Sequence, residues 1–483
     1  MGKIRDLIKR GVFILLQGGM GIGVSDWIIA RAVAMLGAVA TVSGTAIQFV
    51  FVRRLQLGDP GGHMKRAVDT FPFQKMAQRI YEKYFIPGGK KKNESFIGLE
   101  MFTLSPSRDL IELTILANFA EVYLAKEGHD GIVGINFLEK VQMPHIFSIY
   151  GAMLAGVDFI AMGAGVPKQI PGVIDGFIKG EAVRYNEDVT GAPTGSFSMN
   201  FDPKDFFEGE VLPELKSPEF FPIVAYETIA KNLERKHPEK CAIFIVEGPA
   251  AAGHNAPPRE KGVLSATREL AGIKEKGINL EVMRSLEAPF ILAGGYASAS
   301  RIAEAKKEGA CGVQLGSIFA LAEESPIASN IKNAARRGAF NGDLQVITSP
   351  VASPTGLRFK CAKLPGTLID PVVYEKRKRV CDVGLLRVPY LKADGGVGYR
   401  CPAEPIESFV AKGGDLEKCE GKICLCNGLL ALIDLPQIRS GGYVEPPIQT
   451  LGEDIGFIRN LMDDENSTYS VEDVLLFLTL KSD

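Results

Sequence analysis

The chain has 483 residues, 46% of them hydrophobic and 23% charged, with a formal net charge of -2, enough material for one large barrel with additions or for two to three domains. So small a net charge excludes a polyanion-binding surface, and nucleic acid with it. No run approaches the roughly 18 consecutive apolar residues of a membrane span, and no secretory leader pattern opens the chain, so a cytoplasmic protein with no membrane partner is expected.

From the N-terminus onward, short apolar runs end in glycine-rich turns. Val12 to Leu16 leads into Gln17-Gly-Gly-Met-Gly21, and Ala38 to Val42 leads into Ser43-Gly-Thr45. Gly131 to Asn136 is the third run, and Val157 to Met162, ending in Gly163-Ala-Gly165, is the fourth. Phe220 to Val224, Ala242 to Val246, Phe290 to Leu292 and Cys311 to Leu315 complete a set of eight. Helical patterns separate them, as over 146–155, 227–235 and 299–308. Eight continuous apolar runs alternating with helices predict parallel strands covered on both faces, hence an α/β protein with a (β/α)8 barrel; an open doubly wound sheet is the alternative.

Two insertions are expected at the mouth. The first, over about 51–128, carries helical stretches at 73–84 and 110–126 around an exposed tip, Pro87-Gly-Gly-Lys-Lys-Lys-Lys-Asn93. The second spans about 168–218. Residues 1–345 make the barrel, and 346–483 form an appendage with six of the eight cysteines, read as structural thiols with no metal site because no Cys-x-x-Cys pair occurs. Ser349-Pro-Val-Ala-Ser-Pro-Thr-Gly356 reads as a linker, or as a segment that closes over the site. Trp27 and Met35 are expected in the core, His145 near the mouth, and His63, His129 and His237 at the surface.

In such a barrel the site lies at the C-terminal ends of the strands. Ala293-Gly-Gly-Tyr296 and Gln314-Leu-Gly-Ser317, each before a helical pattern, can bring free amides to a phosphate. His254, in the small-residue stretch Val246-Glu-Gly-Pro-Ala-Ala-Ala-Gly-His-Asn255, is a candidate general base; capping a backbone group is the plain alternative.

These segments, in this order, resemble the nitronate monooxygenase family, formerly 2-nitropropane dioxygenases, which includes the FMN-dependent enoyl-acyl-carrier-protein reductases. The resemblance covers about residues 10–345. It implies an FMN-binding TIM barrel, with the phosphate on Gly294, Gly295, Gly316 and Ser317 and with Gln314 and Leu315 beside it. It implies a flavin ring near Gly19, Met20, Asn136, Glu247, Ala252 and Gly253, and it gives His254 the position of the family's catalytic histidine. The chain departs from the pattern at Ala250, where the family has an acid, and at Ala252, where it has glycine. Glu247 and Gly18-Gly-Met20 lean toward the reductases. The activity implied first is oxidation of alkyl nitronates with O2; the alternatives are NAD(P)H-dependent reduction of an enoyl thioester, and a non-catalytic flavoprotein that docks a partner. A small-molecule substrate is expected, and a homodimer is compatible.

Overall fold

In the computed structural model, which describes residues 2–255, 263–264, 270–271 and 277–480, eight parallel strands form one ring. They are β1 (Ile14–Gln17), β2 (Ala40–Ser43), β3 (Val133–Leu138), β4 (Phe159–Gly163), β5 (Glu219–Val224), β6 (Phe244–Glu247), β7 (Phe290–Ala293) and β8 (Gly312–Leu315). The ladder runs β1-β8-β7-β6-β5-β4-β3-β2. Bonds from Gln17 N to Val39 O (2.8 Å) and from Val39 N to Leu15 O (3.0 Å) close the ring between β1 and β2. Each expected strand lies within two residues of its observed bounds, and the closed barrel is the (β/α)8 fold.

Nearly every residue of β2, β4 and β7 is buried, as two covered faces require. Ile14, Leu16, Phe159, Ala161, Phe221, Ile243, Ile245, Ile291 and Ala293 fill the barrel interior, with Phe159 stacked on Phe221 at 4.5 Å. The helix Lys3–Lys9 plugs the bottom: the Ile4 and Arg5 amides donate to the Glu219 carboxylate at 3.1 and 3.2 Å, and Ile4 is fully buried. That leaves the opposite end, where the strands stop, as the open one.

Between β2 and β3 the first insertion supplies helices Ile47–Gln56, His63–Thr70, Gln74–Tyr84 and Arg108–Lys126. The last packs between Trp27–Met35 and His145–Leu154 and so takes a place in the outer ring. Arg54 bridges Asp26 (2.9 Å) and Glu121 (3.0 Å), tying this insertion to the barrel. In the second insertion, Val183–Glu187 and Phe197–Phe201 pair as an antiparallel hairpin, and Phe201 packs edge-on against Phe147, Tyr150 and Phe177.

Met35 is a correction. Trp27 is buried, but Met35 is 58% exposed, because eight residues further along the helix turn it roughly 80° away from Trp27's face. His145 lies beside the end of β3, near the mouth, but is buried rather than facing the cavity. It is 2% exposed, its Nε2 lies 3.1 Å from Leu138 O, and it lines no part of the main cavity.

The appendage is continuous with the barrel. Its Leu425, Leu430, Leu432, Ile448, Leu451, Phe457 and Ile458 belong to the same buried cluster as the barrel's outer layer. Among the described residues no helix is long and apolar enough to cross a membrane. All eight cysteines are free thiols, and among the described residues no group of three His, Cys, Asp or Glu side chains is placed to hold a metal ion.

Candidate active site

Each barrel strand delivers the residue that follows it to the open end. The thirteen residues expected there, His254 and the twelve cofactor positions from Gly19 to Ser317, all line one cavity of about 250 Å³. They come from strands β3, β6 and β8 and from the turns after β1, β6, β7 and β8, so the strand ends alone bring them together.

Two of the glycine turns have different physical reasons. A Cβ on Gly19 would sit 2.3 Å from Asn136 Cβ, and one on Gly18 would sit 3.0 Å from the Gln314 side chain. Close packing between strand ends therefore explains both. Gly294 and Gly295 have φ of +92° and +83°, a backbone region costly for side-chain-bearing residues. A Cβ on Gly295 or on Gly316 would meet nothing nearer than 3.6 Å, so both stand beside open space. The N–H groups of Gly294, Gly295, Gly316 and Ser317 have no acceptor among the described residues. Since Ala293 and Gln314 are ladder partners, these amides meet in one corner, which suits a phosphate held by backbone donors. Asp454 stands at the edge of that corner, its Cβ 4.0 Å from where a Gly295 Cβ would lie.

His254 sits beyond Gly253, whose φ of +76° turns the chain after β6. Ala252, where the family has glycine, is absent from the positive-φ residues, so its methyl is accommodated. His254 and Asn255 pair antiparallel with Phe359 and Arg358 of the tail strand Arg358–Ala362. The imidazole packs edge-on against Phe359 at 5.0 Å, and its Nε2 lies 2.7 Å from Ser353 Oγ. Ser353, fully buried, also lies 2.8 Å from Thr355 Oγ1. Burial pushes His254 down to about 4, so the ring is neutral at physiological pH. Nδ1 is left without a protein partner among the described residues.

Glu247 ends β6 on the same wall. Burial pushes its carboxyl up to about 8, and the nearby Lys360 ammonium only partly offsets this, so the group is protonated at neutral pH. Lys360 lies behind the wall, fully buried, donating to Thr348 Oγ1 (2.7 Å) and paired with Glu453.

Reading the barrel motifs missed the tail's share of this site. The Ser349 to Gly356 segment is no mere linker, since Ser353 holds the histidine. Phe359, Leu385, Leu386, Leu425, Leu429 and Phe457 close the cavity with apolar surface. Thr450 Oγ1 accepts the Gly253 amide at 2.8 Å, and the Gly452 amide donates to Ser317 Oγ at 2.7 Å. No motif marks these residues; the only sequence signal was the small, proline-bounded segment around Ser353.

Ser353→Ala tests the tail's grip on the histidine. It removes one hydrogen bond of about 1 kcal/mol, and any turnover that uses His254 is expected to fall about tenfold while the melting temperature changes little. An unaltered pH profile and kcat in this variant would reduce Ser353 to a packing residue.

Residues 209–356 match the family model described as nitronate monooxygenase, the family to which the strand-end motifs pointed. No curated protein matches the chain. Among solved structures, FabK from Thermotoga maritima is similar at 14% identity and a TM-score of 0.50, over 100% of this chain and 96% of that one. The nitroalkane oxidase from Streptomyces ansochromogenes aligns at 12% identity and a TM-score of 0.48, over 98% and 97% of the two chains. The enoyl reductase domain of MlnA from Bacillus amyloliquefaciens aligns at 13% and 0.46, over 99% and 96%. At 14% identity the likeness to FabK supports the barrel fold alone, and the family match supports an oxidoreductase.

Proposed function

We propose that this chain is an FMN-dependent oxidoreductase that uses NAD(P)H to reduce the carbon–carbon double bond of an enoyl thioester. The four convergent amides fit the FMN phosphate, and the bed of Gly19, Met20, Asn136, Glu247, Ala252 and Gly253 fits its ring. When bound, FMN supplies hydride transfer, from the nicotinamide to the substrate.

The observation that carries the choice of substrate is the charge of the wall. Among the described residues no Lys or Arg lines the main cavity; the ionisable side chains there are Glu247, Asp454, Tyr296, Cys426 and the neutral His254. An anionic nitronate would meet no cation among these described side chains, whereas a neutral unsaturated acyl group meets apolar ones. His254, held at Nε2, offers Nδ1 to the substrate, and Glu247 as a neutral acid holds a proton beside it.

Nitronate oxidation with O2 is the second reading, favoured by the description of the matched family. Mixing the yellow protein anaerobically with a nitronate, and separately with NADPH and NADH, separates the two. Bleaching by a nicotinamide, reversed by an enoyl thioester, is expected. Bleaching by the nitronate alone would overturn the reductase assignment, and a colourless protein that takes up no FMN would overturn both.

A further inference from the structure

The main cavity shares part of its wall with a second one. Val141, Leu385 and Leu386 line both, the second having a volume of about 170 Å³. This annex is built outside the strand-end motifs: from the turn after β3, from the end of the hairpin strand Val183–Glu187, and from the tail around Arg387. Bonds from Thr190 N to Pro389 O and from Leu391 N to Thr190 O, both 2.9 Å, fasten hairpin to tail. The two segments added to the barrel thus make a single structure beside its mouth.

One polar group in the annex is left over. Glu187 is 4% exposed, and its Oε1 has no hydrogen-bond partner among the described residues. Burial, with Asp188 and Glu139 nearby, pushes its carboxyl up to about 8, so at neutral pH it keeps a carbonyl-type oxygen able to accept. A buried acceptor without a donor is costly, and a ligand N–H would remove that cost. Lys140 and Arg387 line the annex beside Asp188, Arg387 donating to Gly384 O at 3.2 Å and Phe102 O at 2.7 Å, and they supply cationic groups that the described lining of the main cavity lacks.

We propose that the annex holds the amide-bearing, phosphate-ended arm of an acyl thioester, with Glu187 Oε1 accepting an amide N–H while the acyl group passes Val141, Leu385 and Leu386 into the main cavity. The inference rests on the enoyl-thioester reading and assigns the hairpin and the tail a direct part in substrate binding.

The test compares wild type, Glu187→Leu, Glu187→Gln and Leu386→Trp, each checked for flavin content and melting temperature. The substrates are crotonyl-pantetheine and S-ethyl thiocrotonate, which lacks the amides; crotonyl-coenzyme A and a crotonylated carrier protein tell a free arm from a protein-borne one. Pantetheine binding is measured without turnover by titration calorimetry. Wild type is expected to favour the pantetheine ester by about tenfold or more in kcat/KM. The Leu and Trp variants should lose that preference and weaken pantetheine binding, whereas Gln, which keeps an acceptor, should retain most of both. Equal preference in all four proteins, or pantetheine affinity indifferent to the Leu and Trp changes, would overturn the annex. If wild type reduces neither ester but binds pantetheine in a way the Leu and Trp variants abolish, the reductase reading falls and the annex stands.

Discussion

A His254→Asn protein is expected to purify yellow and to turn over about 10² to 10⁴ times more slowly than wild type. The corner proposed for the FMN phosphate is lined by backbone amides of Gly294, Gly295, Gly316 and Ser317, none of which depends on the imidazole, so bound FMN should remain. What is lost is Nδ1, the ring nitrogen the protein leaves open, together with the pairing of Nε2 to Ser353. Because burial holds His254 near 4, the wild-type pH profile of kcat/KM should show no inflection near 6.5, the usual imidazole value. The inflection within the working range should fall near 8, where Glu247 ionises. A wild-type profile with a limb near 6.5 that vanishes in the Asn variant would show a cationic histidine in the mechanism and overturn this account.

The same groups set opposite trends in stability. His254 releases its proton more readily folded than unfolded, so its contribution is full above pH 6.5 and is lost as pH falls toward 4. His145, pushed to about 4 by burial, acts in the same window and direction. Glu247 and Glu187, both raised to about 8, contribute fully below 4.5 and lose that contribution as pH rises through 8.

The second large effect concerns the tail. A chain cut after residue 345 is expected to yield no flavin-binding barrel. The cut strips Phe359, Leu385, Leu386, Leu425, Leu429 and Phe457 from the cavity wall and Leu430, Leu432, Ile448 and Leu451 from the shared core. Each such side chain contributes about 1.5–3 kcal/mol when buried, and ten together exceed the roughly 5–15 kcal/mol of net stability of a typical domain. The barrel would also expose surface that the tail packs against: a Cβ on Gly23 would come within 2.9 Å of Ile433, and one on Gly21 within 3.6 Å of Leu429. Yield, bound FMN and a cooperative melt measure the outcome. A yellow, cooperatively melting 1–345 protein would show the tail to be a separable appendage.

The barrel could be read from the sequence because its information is local. A buried parallel strand writes itself as a run of apolar residues, and the turn that follows writes itself in glycine; Phe290 to Ala293 followed by Gly294 and Gly295 is an example. The tail's part in the site could not be read, because its partners are remote and its residues ordinary. Ser353 meets His254 from 99 residues away, and Thr450 meets Gly253 from 197. Met35 was misplaced for a smaller reason, since helical periodicity does not say where the apolar face ends.

The strand pairing that carries His254 has one more consequence, for how the protein is made. Its strand lies beside Arg358–Ala362, which in turn lies beside Val346–Ser349, and the turn preceding it is held by Thr450 and closed over by Gly452. On the ribosome the eight barrel strands are complete by Leu315, yet the histidine's surroundings are unfinished until residues near 452 have emerged. The site is therefore assembled only after residues near 452 have emerged, and a nascent chain stalled short of that point carries the motifs of the site without the site.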